Sequence, residues 1–307
     1  MATQTDGLTL NTVRPWRPFP CRVKELRRLS PSFLRVTFAS EDLKDFADNG
    51  YDQRFKLIFP APACGFDKLP AGDRWYSDLR ALPDEDQCRV RTYTVRAVRR
   101  ELGEVDVDMV LHEPHPGSAA PALRWALAAT VGDELVLLGP DARFDGPHGG
   151  IDFNPPEGAE LLLAGDETAM PAIAAILERL PITAFGKVFI EVPAAADTLA
   201  LDAPPEIEVN WLPREGADWG AELIPAVSEA AAALDIEGRA EAVEDIDVDT
   251  ETLWDAPERP AACEAYAWVA AEAGVVKTLR RTIRGDLGLP KACGAFMGYW
   301  RNGRDAD

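Results

Sequence analysis

Leu161-Leu162-Leu163-Ala164-Gly165-Asp166-Glu167-Thr168-Ala169-Met170-Pro171 is the stretch that decides the fold. Its apolar start suits a strand buried on both faces, Gly165 turns the chain, and Thr168 and Pro171 suit the first turn of a helix, with Thr168 as its cap. Strand, tight turn and helix make the unit of an open α/β sheet, whose ligands settle at the carboxyl ends of the strands. The turn from Gly165 to Ala169 is therefore a candidate nucleotide site, with an ordinary strand-to-helix turn as the competing interpretation. Asp166 and Glu167 would repel a phosphate, so its charge must be met elsewhere, and Arg214 after the strand Ile207 to Trp211 is the best-placed candidate.

The same rhythm continues toward the C-terminus. Helix Ala172 to Leu180, strands Val188 to Val192 and Ile207 to Trp211, helix Ala221 to Leu234, strand Tyr266 to Val269 and helix Val275 to Arg284 follow in turn. This pattern predicts a doubly wound parallel sheet over residues 151–307. Phe296, Tyr299 and Trp300 are expected to pack its last strand. Between Glu229 and Glu258 the chain carries eleven acidic residues and one basic residue, Arg239, which predicts a solvated insertion kept extended by self-repulsion.

Toward the N-terminus the rhythm changes. Phe33 to Phe38, Arg54 to Phe59, Arg89 to Val98, Glu104 to His112 and Glu134 to Leu138 are short strand-like runs broken by Pro, Gly and Asp. They predict an antiparallel, six-stranded β-barrel over residues 15–150, with a short helix from Pro121 to Ala129 capping one end. The chain of 307 residues thus divides into a β domain and an α/β domain, with the boundary near residue 150.

Composition narrows the chemistry. A net charge of -20 argues against nucleic acid and against an anionic membrane as partners. Cys21, Cys64, Cys88, Cys263 and Cys293 form no C-x-x-C pair, and three histidines are too few for a protein-ligated haem or non-haem iron without help from carboxylates. No resident metal is expected. The first residues lack the apolar run of a signal peptide, and no uninterrupted apolar run spans a membrane, so a soluble cytoplasmic protein is expected.

Against this acidic background, Arg89-Val90-Arg91-Thr92-Tyr93-Thr94-Val95-Arg96 concentrates positive charge on one strand. Alternation aims Arg91 and Tyr93 at one face and Thr94 at the other. A guanidinium beside an aromatic ring suits a ligand with a phosphate and a flat ring, such as a flavin dinucleotide. An arginine-rich edge strand protected from aggregation is the alternative. His112 ends the next strand on its polar face, just before Gly117 and Ser118, whose small-residue loop leads into a helix and could offer N–H groups to a pyrophosphate.

Taken together, RTYTVR, VLH at 110 to 112, LAGDETAMPAI, WLPR at 211 to 214, YAWVAAEAGVVKTLRR and GYWRNG resemble the siderophore-interacting protein family of flavin reductases. The likeness is collinear from about Arg22 to Gly303. It implies a barrel holding non-covalent FAD and a second domain receiving NADPH or NADH. By the resemblance, Arg91 pairs with the pyrophosphate, Tyr93 lies against the isoalloxazine and Thr94 bonds near its reactive nitrogen. Thr92, Val95, Arg96, His112, Gly117, Ser118, Pro121 and Ala122 complete the FAD side. Gly165, Asp166, Glu167, Thr168, Ala169, Trp211, Arg214 and Glu272 face the nicotinamide nucleotide. Two positions depart from the family pattern: Ala120-Pro121-Ala122-Leu123 replaces Gly-Pro-Ala-Ser, and Ala271 stands where a glycine is usual.

The implied activity is ferric-siderophore reduction. Ferric iron in hard oxygen donors is held far more tightly than ferrous iron, so one electron loosens the chelate. Nicotinamide delivers two electrons as hydride, and a flavin can divide the pair. An acidic protein must attract an anionic chelate locally, and the resemblance points to Lys56, with Arg143 and Arg301 as companions. Ferredoxin is the other donor the resemblance admits. Two alternatives stay open: a general flavin or ferric-chelate reductase, and a cytosolic siderophore-binding protein without redox chemistry.

Overall fold

The structure is a computed structural model that describes residues 13–112, 120–234, 236, 239–240, 242–257 and 262–303. The first sheet is built from β1 (Trp16–Arg28), β2 (Phe33–Ala39), β3 (Arg54–Phe59), β4 (Arg89–Thr94), β5 (Ala97–Arg99), β6 (Glu104–Val110) and β7 (Glu134–Pro140). Its order is β4-β3-β7-β1-β2-β6-β5, and every neighbouring pair is antiparallel.

The sheet has seven strands where six were expected: the five runs named from the sequence omit β1, and the run Arg89 to Val98 divides into β4 and β5. Val95 N–H bonds to Gln53 O on the β3 side, whereas Arg96 N–H bonds to Asp106 O on the β6 side. One continuous segment therefore ties the two edges and curls the sheet into a half-barrel. Its core takes alternate residues of the strands, including Phe19, Cys21 and Val23 of β1 and Val105, Val107 and Met109 of β6. A short helix, α1 (Trp75–Arg80), packs Leu79 on the outside, and α2 (Pro121–Ala128) closes one end with Leu123 and Ala126.

The second sheet contains β8 (Glu160–Gly165), β9 (Phe185–Val192), β10 (Glu206–Pro213), β11 (Trp254–Asp255), β12 (Ala265–Glu272) and β13 (Gly294–Trp300). Helices α3 (Met170–Leu177), α4 (Leu223–Ala232) and α5 (Ala273–Arg280) accompany it, and α5 continues as a π turn over Arg281–Asp286. The order is β10-β9-β8-β12-β13-β11. Five strands are parallel and the edge strand β11 is antiparallel, so the sheet is mixed, not wholly parallel as expected. Leu161 and Leu163 join the cluster containing α3, while Leu162 and Ala164 join the cluster containing α4 and α5.

The described part of the acidic stretch is largely exposed but anchored to the core. Leu253 is buried, Ile246 and Val248 pack on the core, and Asp255 pairs with Arg280 and Arg284. Lys277 pairs with Asp245. Cations on and just after α5 offset the repulsion that the sequence suggests, so the segment folds back and supplies β11.

The two sheets are pinned together by buried polar groups. Asp52, fully buried, accepts from the N–H groups of Asp152 and Phe153 and from Trp268 Nε1. Asp197 accepts from Ser30 and Ser32 at the β1–β2 turn. Phe33 of β2 inserts into the core cluster of the second sheet.

Candidate active site

A cavity of about 1020 Å³ lies between the half-barrel and the carboxyl ends of the second sheet. It is slightly larger than the roughly 300–1,000 Å³ usual for small-molecule sites. Arg91, Thr92, Tyr93 and Thr94 all line it. Alternation alone would turn Thr94 away, but β4 is an edge strand paired only with β3, so residues of both faces reach the cavity. Burial raises the Tyr93 phenol above its ordinary value, which keeps it a neutral ring.

His112, Pro121 and Ala122 also line the cavity. Gly117 and Ser118 lie outside the described residues. Val95 does not line the wall, because its side chain fills the barrel core. Arg96 is likewise turned away: it makes a bidentate pair with Glu178 after α3 and sits 3.5 Å from Asp108, clamping the two domains. Ala120 adopts φ +36°, a left-handed conformation that a glycine would take without strain.

On the opposite wall Glu167, Thr168 and Arg214 line the cavity. Thr168 does not cap α3; its N–H and hydroxyl both donate to Asp166 Oδ1, at 2.9 and 2.6 Å. Asp166 Oδ2 accepts from Glu272 N–H and Trp300 Nε1 at 2.8 and 2.7 Å. Burial, with Glu167 beside it, pushes Asp166 up to about 7. Arg214 is held by both oxygens of Glu167, at 2.6 and 2.7 Å, and lies 3.7 Å from Glu191. The repulsion toward phosphate expected from Asp166 and Glu167 is thereby weakened at its source, and Arg214 has spent its fork on that task.

The other residues of this turn support the wall from behind. A Cβ at Gly165 would meet Ala169 Cβ at 2.5 Å and Ala270 O at 2.7 Å, so the glycine serves close packing of strand on helix. Ala169 is fully buried and Trp211 packs against the same core. Glu272 caps α5 through the N–H groups of Gly274 and Val275. Ala271 points into the α4 and α5 cluster, so its Cβ does not crowd the cavity.

None of the three expected substrate cations lines the cavity. Lys56 is half-buried and donates to Thr92 Oγ1 at 2.5 Å, and burial and nearby Arg54 lower its pKa. Arg143 is bound by Asp141 at 2.6 Å and Asp45 at 3.3 Å, and Arg301 by Asp249. Arg143 and Arg301 are thus tied to neighbouring carboxylates and are not brought onto the cavity wall, and one guanidinium nitrogen of Arg301 is buried without a hydrogen-bond partner among the described residues. Sequence reasoning missed Arg28, Arg54, Trp219 and Trp254, all on the wall. Tyr299 and Trp300 also line it, while Phe296 packs the core as expected. An isolated tryptophan within an acidic run was the available signal for Trp254.

A half-barrel followed by a mixed sheet with helices, with a cavity at their junction, is the two-domain fold of the ferredoxin-reductase type. A ferredoxin reductase of carbazole 1,9a-dioxygenase shares this fold, with a TM-score of 0.56 and 17% identity over 94% of this chain and 70% of that one. A siderophore utilization protein from T. fusca superposes with a TM-score of 0.68 and 28% identity over 96% of this chain and 97% of that one. The ferric vibriobactin reductase ViuB of Vibrio cholerae is 30% identical over 91% of this chain and 88% of its own length. A model of the siderophore-interacting FAD-binding domain matches residues 22–144, and one of the siderophore-interacting protein matches residues 158–303. The chain belongs to the siderophore-interacting protein family.

The cavity fits the family's FAD. A guanidinium, a neutral phenol ring and an open strand edge lie together on the barrel wall, and the acidic wall opposite is already compensated. Among the described residues no group of three or more His, Cys, Asp or Glu could hold a metal ion, and no helix is long and apolar enough to cross a membrane.

Proposed function

We propose that this protein is an FAD-dependent ferric-siderophore reductase of the cytoplasm, taking electrons from NADPH or NADH and releasing Fe(II). Residues 15–150 act as the FAD-binding barrel and 151–307 as a doubly wound NAD(P)H-binding domain, with ferredoxin as the other admissible donor. The single observation behind this is the placement of the Arg91–Thr94 edge across one cavity from Thr168 and Trp300 at the strand ends of the second sheet.

In this reading Arg91 pairs with the FAD pyrophosphate, Tyr93 packs on the flat ring and Thr94 donates or accepts beside it. His112, Pro121 and Ala122 close the same wall, and Lys56 acts indirectly by fixing Thr92. Thr168, with the Glu167–Arg214 pair, orients the nicotinamide nucleotide, and Asp166 positions Trp300 and Thr168 from behind. Bound flavin supplies the conversion of a hydride pair into single electrons. The protein contributes binding, orientation and exclusion of water, and no metal ligand is required of it.

The test is anaerobic. FAD-loaded protein mixed with NADPH or NADH, a ferric siderophore and a ferrous trap is expected to yield the coloured ferrous complex. Absence of that complex with either nucleotide, in protein that retains FAD, would overturn the reductase assignment in favour of a binding protein.

A further inference from the structure

In an open α/β sheet, the pyrophosphate of a dinucleotide is held by N–H groups at helix N-termini beyond the strand ends. In this chain those groups are taken by the protein's own carboxylates and carbonyls. Glu191 of β9, fully buried, accepts from the N–H groups of Gly220, Glu222 and Leu223 at the start of α4, at 2.9, 3.1 and 3.1 Å. Glu272 at the end of β12 accepts from the N–H groups of Gly274 and Val275 at the start of α5, at 2.6 and 3.1 Å, and from Asn302 N–H at 3.2 Å. Ahead of α3, Thr168 N–H donates to the Asp166 carboxylate, Ala169 and Met170 donate to the Asp166 carbonyl, and Pro171 has no N–H to give.

Strands β9, β8 and β12 are neighbours in the sheet, so the three acidic residues stand along one stretch of its carboxyl edge. Glu191 and Glu272 also offset the positive ends of their helices, and a pyrophosphate placed there would lose both its hydrogen bonds and its field. Arg214 is the only second-domain cation on the cavity wall among the described residues, and it is locked to Glu167 with Glu191 at 3.7 Å. What the second domain offers the cavity instead includes Thr168 and the indoles of Trp219 and Trp300, which meet edge-on with ring centres 5.0 Å apart. Such a surface suits a flat ring and presents no unspent charge to a pair of phosphates.

We propose that Glu191 and Glu272, with the Asp166 turn, determine how the electron donor is recognised. They leave the second domain without a pyrophosphate anchor, so the donor is held through its dihydronicotinamide mononucleotide half and its adenylate half adds little affinity. NADH and NADPH differ only by a phosphate on that adenylate half and are therefore accepted alike. The inference rests on the NAD(P)H-fed reductase reading and deepens it by naming the part of the donor that is read.

The test uses FAD-loaded protein. ADP-ribose and its 2′-phosphate carry the pyrophosphate but no reactive ring, and in calorimetric titrations neither is expected to bind with a Kd below about 1 mM. In anaerobic stopped flow, NADH, NADPH and reduced nicotinamide mononucleotide are expected to bleach the flavin with half-saturating concentrations within about threefold of one another. An anchored pyrophosphate would instead make the mononucleotide about a hundredfold weaker. Glu272→Ala frees two N–H groups at the start of α5 and should tighten ADP-ribose about tenfold or more, a gain that a merely structural role does not give. Wild-type binding of ADP-ribose below about 1 mM, or a mononucleotide weaker than NADH by about tenfold or more, would overturn the inference, and neither measurement depends on a variant folding. A folded Glu272→Ala chain with no gain would overturn the role of Glu272. Fragment binding involves no redox step, so the two readings fail separately. Unbound ADP-ribose with no donor bleaching the flavin removes the NAD(P)H reading, whereas bound ADP-ribose with iron still reduced removes only the self-capped edge.

Discussion

The two walls of the cavity solve opposite problems. The β4 wall carries Arg91 and Tyr93 on an edge strand that pairs only with β3, and both line the cavity. The wall built by the turn after β8 is closed on itself: Asp166 accepts four hydrogen bonds from its own domain, and Glu167 and Arg214 complete each other. The contrast teaches that one wall is arranged to grip and the other to hold still. A prosthetic group suits the first, and a nucleotide that arrives and leaves suits the second.

The largest expected effect is on the closed wall. Arg214→Ala strands Glu167 and Glu191, both buried, and is expected to cost about 3–5 kcal/mol in denaturant unfolding. Replacing the pair together, as Arg214→Met with Glu167→Leu, should restore most of that loss. An unchanged midpoint for Arg214→Ala would break the comparison.

A smaller effect concerns pH. Asp166 is raised from 3.8 to about 7 in the folded chain, so folding favours its protonated form. Its contribution to stability is complete below pH 4, declines as pH rises toward 7 and is flat beyond. The stability of wild type relative to Asp166→Asn should therefore fall between pH 4 and pH 7. A constant difference across that window would contradict the burial argument.

The smallest effect sharpens the open wall. Ala120 holds φ +36° at the start of α2, and Ala120→Gly should relieve that strain for a net gain of about 0.5–1 kcal/mol, read as a rise in melting temperature. A loss of stability would show that the local conformation is not strained.

Much of the fold was legible because both periodicities are clean: the inward residues of β6 alternate, and Leu161 to Ala164 are buried on both faces. β1 was missed because Pro18 and Pro20 argue against an inner strand. The structure admits them because Trp16–Cys21 pairs only with β7, and β2 pairs with the strand from Arg22 onward. Arg91 and Tyr93 were legible because their types sit together on one strand. Trp254 and Arg54 were not, since only folding brings an edge strand of the acidic segment against the barrel. The same limit hid the pairing of Arg214 with Glu167 and of Arg96 with Glu178.

The most direct test of the central claim is a titration of FAD into the cofactor-free chain, with flavin fluorescence as the signal. One FAD per chain, quenched on binding, with affinity reduced about tenfold or more by Arg91→Ala at unchanged stability, is the predicted result. A chain that takes up no FAD, or one in which Arg91→Ala binds as tightly as wild type, would contradict it.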